Sequence, residues 1–242
     1  MFKLISLVVL ALAAALVGSA EVGYSVTTPS TVTNSSLSFG SHYAVLNLDL
    51  INASVGSVNG TAQGQAWIKN TAKWIDAVHS QSPPPISIFS RVYFSTHLLP
   101  EISANAPFMS TVAAVGNITE SSVSSQIYPR FKLLPRYDVA LQKTRFFAGA
   151  DNALVQILRS QKIDTVIISG IRTSGVVLST AMRLFDLDFK VYVIANNTIE
   201  TGDDATAINN VILRGILPKM PLDVITIEQA IDALSRSEAT YY

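Results

Sequence analysis

The sequence has no cysteine among its 242 residues and only three histidines. The absence of cysteine excludes disulfides, thiolate metal ligands and a thiol nucleophile. Charged residues are also sparse, at 14%, and 17 Lys and Arg balance 17 Asp and Glu. Because the chain has no excess of basic residues, it lacks the electrostatic footprint of a nucleic-acid-binding protein, and no nucleic-acid partner is expected.

Long apolar runs are scarce as well, and the one example lies at the N-terminus. The run from Leu4 to Val17 follows a single Lys and is followed by Gly-Ser-Ala. This pattern is typical of a secretory signal peptide, and favours it over a signal anchor because the run is short for a bilayer and leads into a polar segment. We therefore predict a signal peptide at 1–20, an extended Ser- and Thr-rich arm at 21–41, and one α/β domain at 42–242. The expected location is extracellular, with no membrane contact after cleavage.

Acceptor sequences for N-glycosylation fit this prediction of a secreted protein. Each has the Asn-x-Ser/Thr pattern that a secretory route can modify. The candidate sites are Asn34, Asn52, Asn59, Asn117 and Asn196. A chain so rich in Ser and Thr would contain a few such patterns by chance, so the N-terminal segment carries more of the argument.

The segment 163–196 predicts the fold class. It contains a short apolar run at 164–169, a break at Gly170, a helical pattern from Ser174, which we interpret as the N-cap, and a second apolar run at 191–194. Such a strand–helix–strand unit is typical of a parallel sheet buried on both faces. We predict a three-layer Rossmann-like α/β fold with a mostly parallel sheet of about six strands and helices on both faces. Ligands bind at the carboxyl ends of such strands, so the turn 170–175 is a candidate site.

Two further charged residues end or leave apolar strands. Asp49 closes the first predicted strand, 42–50, and Lys143 follows another apolar run. A carboxylate at the end of an apolar strand is costly to bury without a partner, so we expect Asp49 to have one. The alternative interpretation is that Asp49 is a helix cap or turn residue. A lysine at a strand end is ordinarily a solvated edge residue. Contact between Asp49 and Lys143 would favour a functional pair over a turn residue and a solvated lysine.

The stretch GIRTSGVVLSTAMRLFDLDFKVYVIAN resembles the signature of the isochorismatase-like hydrolases. Aligned on Gly170 and Thr173, the position of the family's catalytic cysteine falls on Val176. The resemblance implies acid–base work for Asp49, a paired lysine at Lys143, and a cis peptide bond between Ile171 and Arg172. The motif that usually follows the aspartate is poorly matched here.

The resemblance also bears on metals and on the loop after the second strand. Nicotinamidase-type relatives carry a metal site built from an Asp and two His, but this loop has only His97. A lone His is more often a hydrogen-bonded loop residue than a ligand, so we expect no metal and no cofactor. His97 and Asn105, in a run similar to that of a cysteine-less branch, are candidate substrate-binding residues. The segment 109–134 is too long for an ordinary connection and is interpreted as either a lid or a dimer contact.

Two classes of function follow. The first is a secreted hydrolase of a small carboxylated molecule, with vinyl-ether hydrolysis of isochorismate as the specific hypothesis, because that reaction needs a general acid and no thiol. In it Asp49 is the acid, and Lys143, Arg172, Thr173 and Gly175 bind the substrate. The second is a non-catalytic binding or assembly protein on the same fold, and a homo-oligomer is open in either case. Contact between Asp49 and Lys143, with open space beside Val176, favours the first class.

Overall fold

The computed structural model describes residues 37–116 and 118–240. The predicted signal peptide, most of the predicted arm, and the sequons at Asn34 and Asn117 lie outside the described residues. Residues 37–41 pack onto the domain. Leu37 and Phe39 are buried with the core aromatic residues Tyr43 and Trp74, and the Phe39 N–H donates to the Ser237 hydroxyl at 2.8 Å. The packed domain therefore includes these residues, upstream of the predicted boundary at 42.

A six-stranded parallel sheet forms the centre of the domain, in the order β3-β2-β1-β4-β5-β6. The strands are β1 Tyr43–Leu48, β2 Ile86–Val92, β3 Asp138–Lys143, β4 Thr165–Ile171, β5 Lys190–Ile199 and β6 Asp223–Ile225. β1 and β4 are buried along their whole length because both faces of the sheet are covered. The order changes direction beside β1, and the carboxyl ends of β1, β2 and β4 meet at the point where a site is expected.

Helices cover both faces of the sheet, which confirms the predicted three-layer α/β fold. The helices are α1 Asn52–Gly56, α2 Ala62–His79, α3 Met109–Val115, α4 Leu154–Ser160, α5 Leu178–Phe185, α6 Ala205–Asn210 and α7 Ile227–Ser235. One core packs α2 and α7 against β1 and β5, and another packs α4 and α5 against the opposite face. In the described chain, no helix is both long and apolar enough to span a membrane.

The turn after β4 differs from the prediction. Ser174 does not cap a helix: Thr173–Val177 forms a π-helical turn that leads directly into α5, and Arg172 is the extended residue before it. The Ser174 N–H donates to the carboxylate of Glu200 at 2.7 Å. The prediction failed because Ser174 lies inside the π-helical turn, where its backbone N–H, and not its hydroxyl, makes the hydrogen bond with Glu200.

Gly170 is required where β4 passes β1. A Cβ built on it would lie 2.4 Å from the carbonyl oxygen of Leu48. That contact is far inside van der Waals range, and its neighbour is backbone in the middle of the sheet, so no side chain fits at this position. The close approach brings the two strand ends, and therefore Asp49 and the turn after β4, to the same edge.

The long segment 109–134 is tied to the strands beneath it. The Tyr128 N–H donates to the Leu50 carbonyl oxygen at 2.8 Å, and Arg91 Nε donates to the Ser125 carbonyl oxygen at 2.8 Å. α3, at the start of this segment, lies over the sheet edge. These hydrogen bonds hold the segment against the sheet, and its interpretation as a lid or a dimer contact stays a prediction.

Candidate active site

A cavity of about 410 Å³ opens at the carboxyl edge of the sheet. The ends of β1 to β4 form its base, while residues from α1 and α3 form its sides. Its lining is largely apolar and includes Ile51, Val92, Phe94, Phe108, Val112, Phe146, Ile171 and Val176. The charged lining residues are Asp49, Lys143, Arg145 and Arg172. An apolar cleft with a few convergent polar groups is the usual form of a small-molecule site.

Asp49 lies at the base of this cavity and is only 7% exposed. It has a left-handed backbone conformation with φ 57°, in the residue directly after β1. Its Oδ2 lies 2.7 Å from the Nζ of Lys143, so the predicted pair is in contact. The Ser90 hydroxyl donates to Oδ1 at 2.7 Å and accepts the Asp49 N–H at 3.0 Å. Both oxygens of the carboxyl group are therefore fixed in direction by protein donors.

Lys143 is buried at the end of β3, with 3% exposure. In addition to Asp49, its ammonium donates to the carbonyl oxygens of Arg145 at 2.9 Å and Phe146 at 3.3 Å. An ammonium has three protons, and here each proton has an acceptor within the chain. This geometry makes Lys143 the fixed partner of Asp49, and a substrate carboxylate would have to displace one of these contacts to bind it.

Burial raises the pKa of the Asp49 carboxyl group above its ordinary value of 3.8. The positive charge of Lys143 is the largest opposing cause, followed by the hydrogen bonds from Lys143 and Ser90. Burial disfavours the charged form of a carboxyl group, and here it outweighs the nearby cation. Asp49 consequently retains its proton to a higher pH than an exposed aspartic acid does.

Val176 lies beside this pair in the cavity lining and is 2% exposed. Its side chain also packs with the core beneath α5. The peptide bond between Ile171 and Arg172 is cis, as the resemblance implied. The position implied for a cysteine thus borders the cavity, but it carries a saturated hydrocarbon that cannot act as a nucleophile.

Of the other residues predicted for the turn, some line the cavity and one is buried behind the lining. Arg172 and Gly175 line the cavity. Thr173 is fully buried behind them, and its hydroxyl donates to the side-chain oxygen of Asn209. The Gly175 N–H donates to the Arg172 carbonyl oxygen at 3.2 Å, so this N–H is engaged within the turn.

Glu200 occupies one backbone donor of this turn, the Ser174 N–H. Its carboxylate accepts the Ser174 N–H at 2.7 Å and the Thr201 N–H at 2.9 Å, and Oε1 lies 3.3 Å from Arg172 Nε. A turn at the carboxyl end of a parallel strand commonly offers free N–H groups to a ligand. The chain supplies an anion of its own instead.

The structure places two predicted substrate-binding residues away from the cavity. His97 and Asn105 are exposed in the loop after β2, and neither belongs to the cavity lining. Arg145 borders the cavity in their place: it donates to the Glu101 carbonyl oxygen at 3.1 Å, with its guanidinium 5.3 Å from the centre of the Phe108 ring. Within 37–116 and 118–240, no three His, Asp or Glu residues are arranged to hold a metal ion.

A family comparison agrees with this geometry. The family model described as the isochorismatase domain matches residues 43–229 of the 242 residues. The chain belongs to the isochorismatase domain family. The match begins at the first residue of β1 and includes Asp49, Lys143 and the turn that contains Val176. No curated protein matches the chain in a sequence search.

Solved structures show the same fold at low sequence identity. An isochorismatase family protein from Burkholderia thailandensis is 21% identical, with a TM-score of 0.68, covering 82% of this chain and 98% of that one. A cysteine hydrolase from Pseudomonas syringae pv. phaseolicola is 13% identical, with a TM-score of 0.70, covering 86% and 97%. A pyrazinamidase/nicotinamidase from Streptococcus mutans is 15% identical, with a TM-score of 0.61, covering 76% and 99%. This isochorismatase domain therefore has the family fold but no cysteine.

Ser90 is a site residue that the sequence did not reveal, and its contacts give a direct prediction. The Ser90→Ala substitution removes a hydrogen bond that lowers the pKa of Asp49. Because that hydrogen bond favours the ionised form of the carboxyl group, we expect Asp49 to titrate at a higher pH in this variant than in the wild type. The measurement is a carbon-13 NMR titration of the Asp49 carboxyl group.

Ser87→Ala is the matched control for this titration. Ser87 is a buried serine of the same strand, and its hydroxyl contacts Asn47. We expect Asp49 to titrate in this variant as in the wild type. If the pKa of Asp49 rose equally in both variants, the cause would be general loosening of the strand and not the loss of the Ser90 hydroxyl.

Proposed function

We propose that this protein hydrolyses a small carboxylated molecule by general acid catalysis, with Asp49 as the acid. The observation that supports this most strongly is the buried Asp49–Lys143 contact of 2.7 Å at the base of an open cavity. A carboxyl group whose pKa is raised by burial is suited to deliver a proton. A pocket filled by side chains would instead have favoured the non-catalytic alternative.

The cavity's charges support a carboxylated substrate. Lys143, Arg145 and Arg172 outnumber the single acidic lining residue, Asp49. Lys143 is committed to Asp49 and two carbonyl oxygens. The side chain of Arg172 is 55% exposed, and among the described residues its ion-pair partner is Glu200. Arg172 is therefore the proposed receptor for a substrate carboxylate, because a guanidinium can bind a carboxylate with two parallel hydrogen bonds.

Val176 favours a reaction that needs no nucleophilic side chain. The specific hypothesis is hydrolysis of the vinyl ether of isochorismate. Asp49 donates its proton to the methylene carbon, which leaves an oxocarbenium ion, and water adds to that cation. The added water returns a proton to Asp49, and the resulting hemiketal separates into pyruvate and a dihydrodiol. The cost of the step lies in forming the cation, and a positioned acid lowers it.

Pyruvate release from isochorismate tests this proposal. The wild-type protein and Asp49→Ala are assayed at high enzyme concentration, with lactate dehydrogenase coupling as the readout. Release by the wild type that the substitution removes would support both the substrate and the acid. Absence of release by the wild type would eliminate isochorismate as the substrate, and equal release by both proteins would eliminate Asp49 as the acid.

Secretion is a separate proposal, supported mainly by the pattern of residues 1–20 and to a smaller extent by the sequons. Among the sequons in the described part of the chain, Asn59 is the exposed one. Asn52 is half-buried and its amide donates to the Val123 carbonyl oxygen at 2.7 Å, while Asn196 lies in β5 and accepts the Ile227 N–H at 3.1 Å. Of these three, Asn59 is the proposed site of a glycan.

A further inference from the structure

Glu200 is a buried carboxylate that the proposed proton transfer does not use. It follows the last residue of β5, and its side chain is only 2% exposed. Burying a carboxylate is costly unless donors replace its lost water, so the identity of those donors indicates what the residue is for. Its two hydrogen-bond donors are the backbone N–H groups of Ser174 and Thr201, and the Arg172 guanidinium forms an ion pair with it.

The contact with Arg172 constrains an otherwise mobile side chain. An arginine that is 55% exposed has many rotamers available, and ordering it when a ligand binds reduces affinity. Glu200 Oε1 lies 3.3 Å from the Arg172 Nε, so the contact uses the nitrogen nearest the side chain's stem. That leaves the two terminal nitrogens, which can form the fork that binds a carboxylate, outside the 3.3 Å contact.

The backbone contacts of Glu200 fix the same turn from the other side. Its Oε2 accepts the Ser174 N–H at 2.7 Å, two residues after Arg172. One carboxylate thus holds both the backbone of the turn and the guanidinium that the turn presents to the cavity. Because the carboxylate itself is buried and tied to the adjacent Thr201 N–H at 2.9 Å, it can hold them in a single arrangement.

We infer that Glu200 is a positioning residue that holds the Arg172 guanidinium ready to receive a substrate carboxylate. This inference rests on the proposed function, in which Arg172 is that receptor. A negative charge near the cavity would by itself repel an anionic ligand. Glu200 therefore has two opposite effects on the affinity for such a ligand: repulsion lowers it, and positioning of Arg172 raises it. The positioning effect acts only through Arg172, whereas the repulsion acts directly on the ligand.

A double-mutant cycle separates these effects, using benzoate as the anionic probe and benzamide as its neutral counterpart. Binding is measured by calorimetry on the full chain, without turnover. We expect Glu200→Gln to weaken benzoate binding about 5-fold, because the ligand must then order Arg172. In an Arg172→Ala background the same substitution should have no weakening effect. Benzamide binding should be unchanged throughout.

Two further variants complete the test. Asp203→Asn removes an exposed acidic residue of the neighbouring loop and should leave benzoate binding unchanged. Arg172→Lys keeps the charge at an exposed position but loses the Nε contact with Glu200, so it should weaken benzoate binding even if Glu200→Gln does not fold. Unchanged or tighter benzoate binding by Glu200→Gln, or by Arg172→Lys, would overturn the positioning role, as would equal weakening in the Arg172→Ala background.

Failure of the proposed function gives a different pattern. If the wild type binds benzoate no better than benzamide, the cavity does not select a carboxylate, and both proposals fall together. If Arg172→Ala abolishes the preference for benzoate while Glu200→Gln leaves it intact, the carboxylate receptor stands and only the role of Glu200 is wrong.

Discussion

The Asp49→Asn substitution is expected to reduce kcat for pyruvate release by about 10²–10⁴-fold, the usual contribution of a positioned general acid. Asparagine has nearly the same shape and keeps an oxygen that can accept from Lys143 or Ser90, but it has no acidic proton to transfer. The loss should therefore appear in kcat, with less change in KM. Steady-state kinetics with isochorismate, together with circular dichroism to verify the fold, provides the measurement.

Asp76→Asn is the matched control for this substitution. Asp76 also pairs with a lysine, Lys132, at 3.5 Å, but both side chains are more than half exposed and lie away from the cavity lining. Its kcat should equal that of the wild type. A folded Asp49→Asn variant that retains wild-type kcat would contradict the assignment of Asp49 as the acid.

The second large effect concerns stability. Lys143→Met is expected to lower the free energy of unfolding at pH 7 by about 3–5 kcal/mol, because it leaves the Asp49 carboxylate buried without its cation. Without Lys143, the pKa of Asp49 rises further. The penalty should therefore be largest above that pKa, where ionisation is required, and should shrink as the pH falls and Asp49 takes up a proton. Urea unfolding at pH 7 and pH 5 measures both values.

Lys132→Met provides the comparison for this substitution. Lys132 is 67% exposed, and an exposed ion pair contributes little to stability, so its unfolding free energy should hardly change at either pH. If Lys143→Met were equally destabilising at pH 5 and pH 7, lost packing and not an uncompensated charge would be the cause.

The wild-type protein should show the same linkage in weaker form. The folded-state pKa of Asp49 is raised above its ordinary value, so the folded state binds more protons than the unfolded state between the two pKa values. The contribution of Asp49 to stability is therefore greatest below the ordinary value of 3.8, and it is lost as the pH rises through the folded-state pKa. The cost above that pKa is the cost of holding a charged carboxylate at a buried position.

The fold was predictable because its signals are local and periodic. The short apolar runs that became β1, β4 and β5 are typical of strands covered on both faces, and the alternation with helical patterns predicts parallel pairing. The strand order and the packing of 37–41 were not predictable, since both depend on contacts between distant segments. Phe39, for example, binds Ser237 and packs against Tyr192, and nothing near it in sequence indicates either contact.

The site was predictable only where a charged residue interrupts an apolar strand end. Asp49 and Lys143 stand out for that reason, and the structure brings them to 2.7 Å. Ser90 was missed because a serine at a strand end is common, and its two bonds to Asp49 arise from the parallel pairing of β1 with β2. Glu200 was missed because its partners, the turn after β4 and Arg172, meet it only through the pairing of β4 with β5.

Val176 illustrates what sequence and structure contribute separately. The sequence shows that the position carries no thiol, which closes the route of covalent catalysis by a cysteine at this position. The structure shows that Val176 borders the cavity beside a buried acid, so the remaining groups still have a space in which to act. Together these observations direct the hypothesis from acyl transfer to proton transfer.

The pH dependence of kcat/KM for pyruvate release tests the central claim most directly, because it distinguishes an acid from a base. If Asp49 donates the proton, kcat/KM should be highest at low pH and should fall about tenfold per pH unit above a pKa higher than 3.8. Ser90→Ala should move that falling limb to higher pH. A rate that instead rises with pH through the ionisation of Asp49 would show that the carboxylate is the active form, and would contradict general acid catalysis by Asp49.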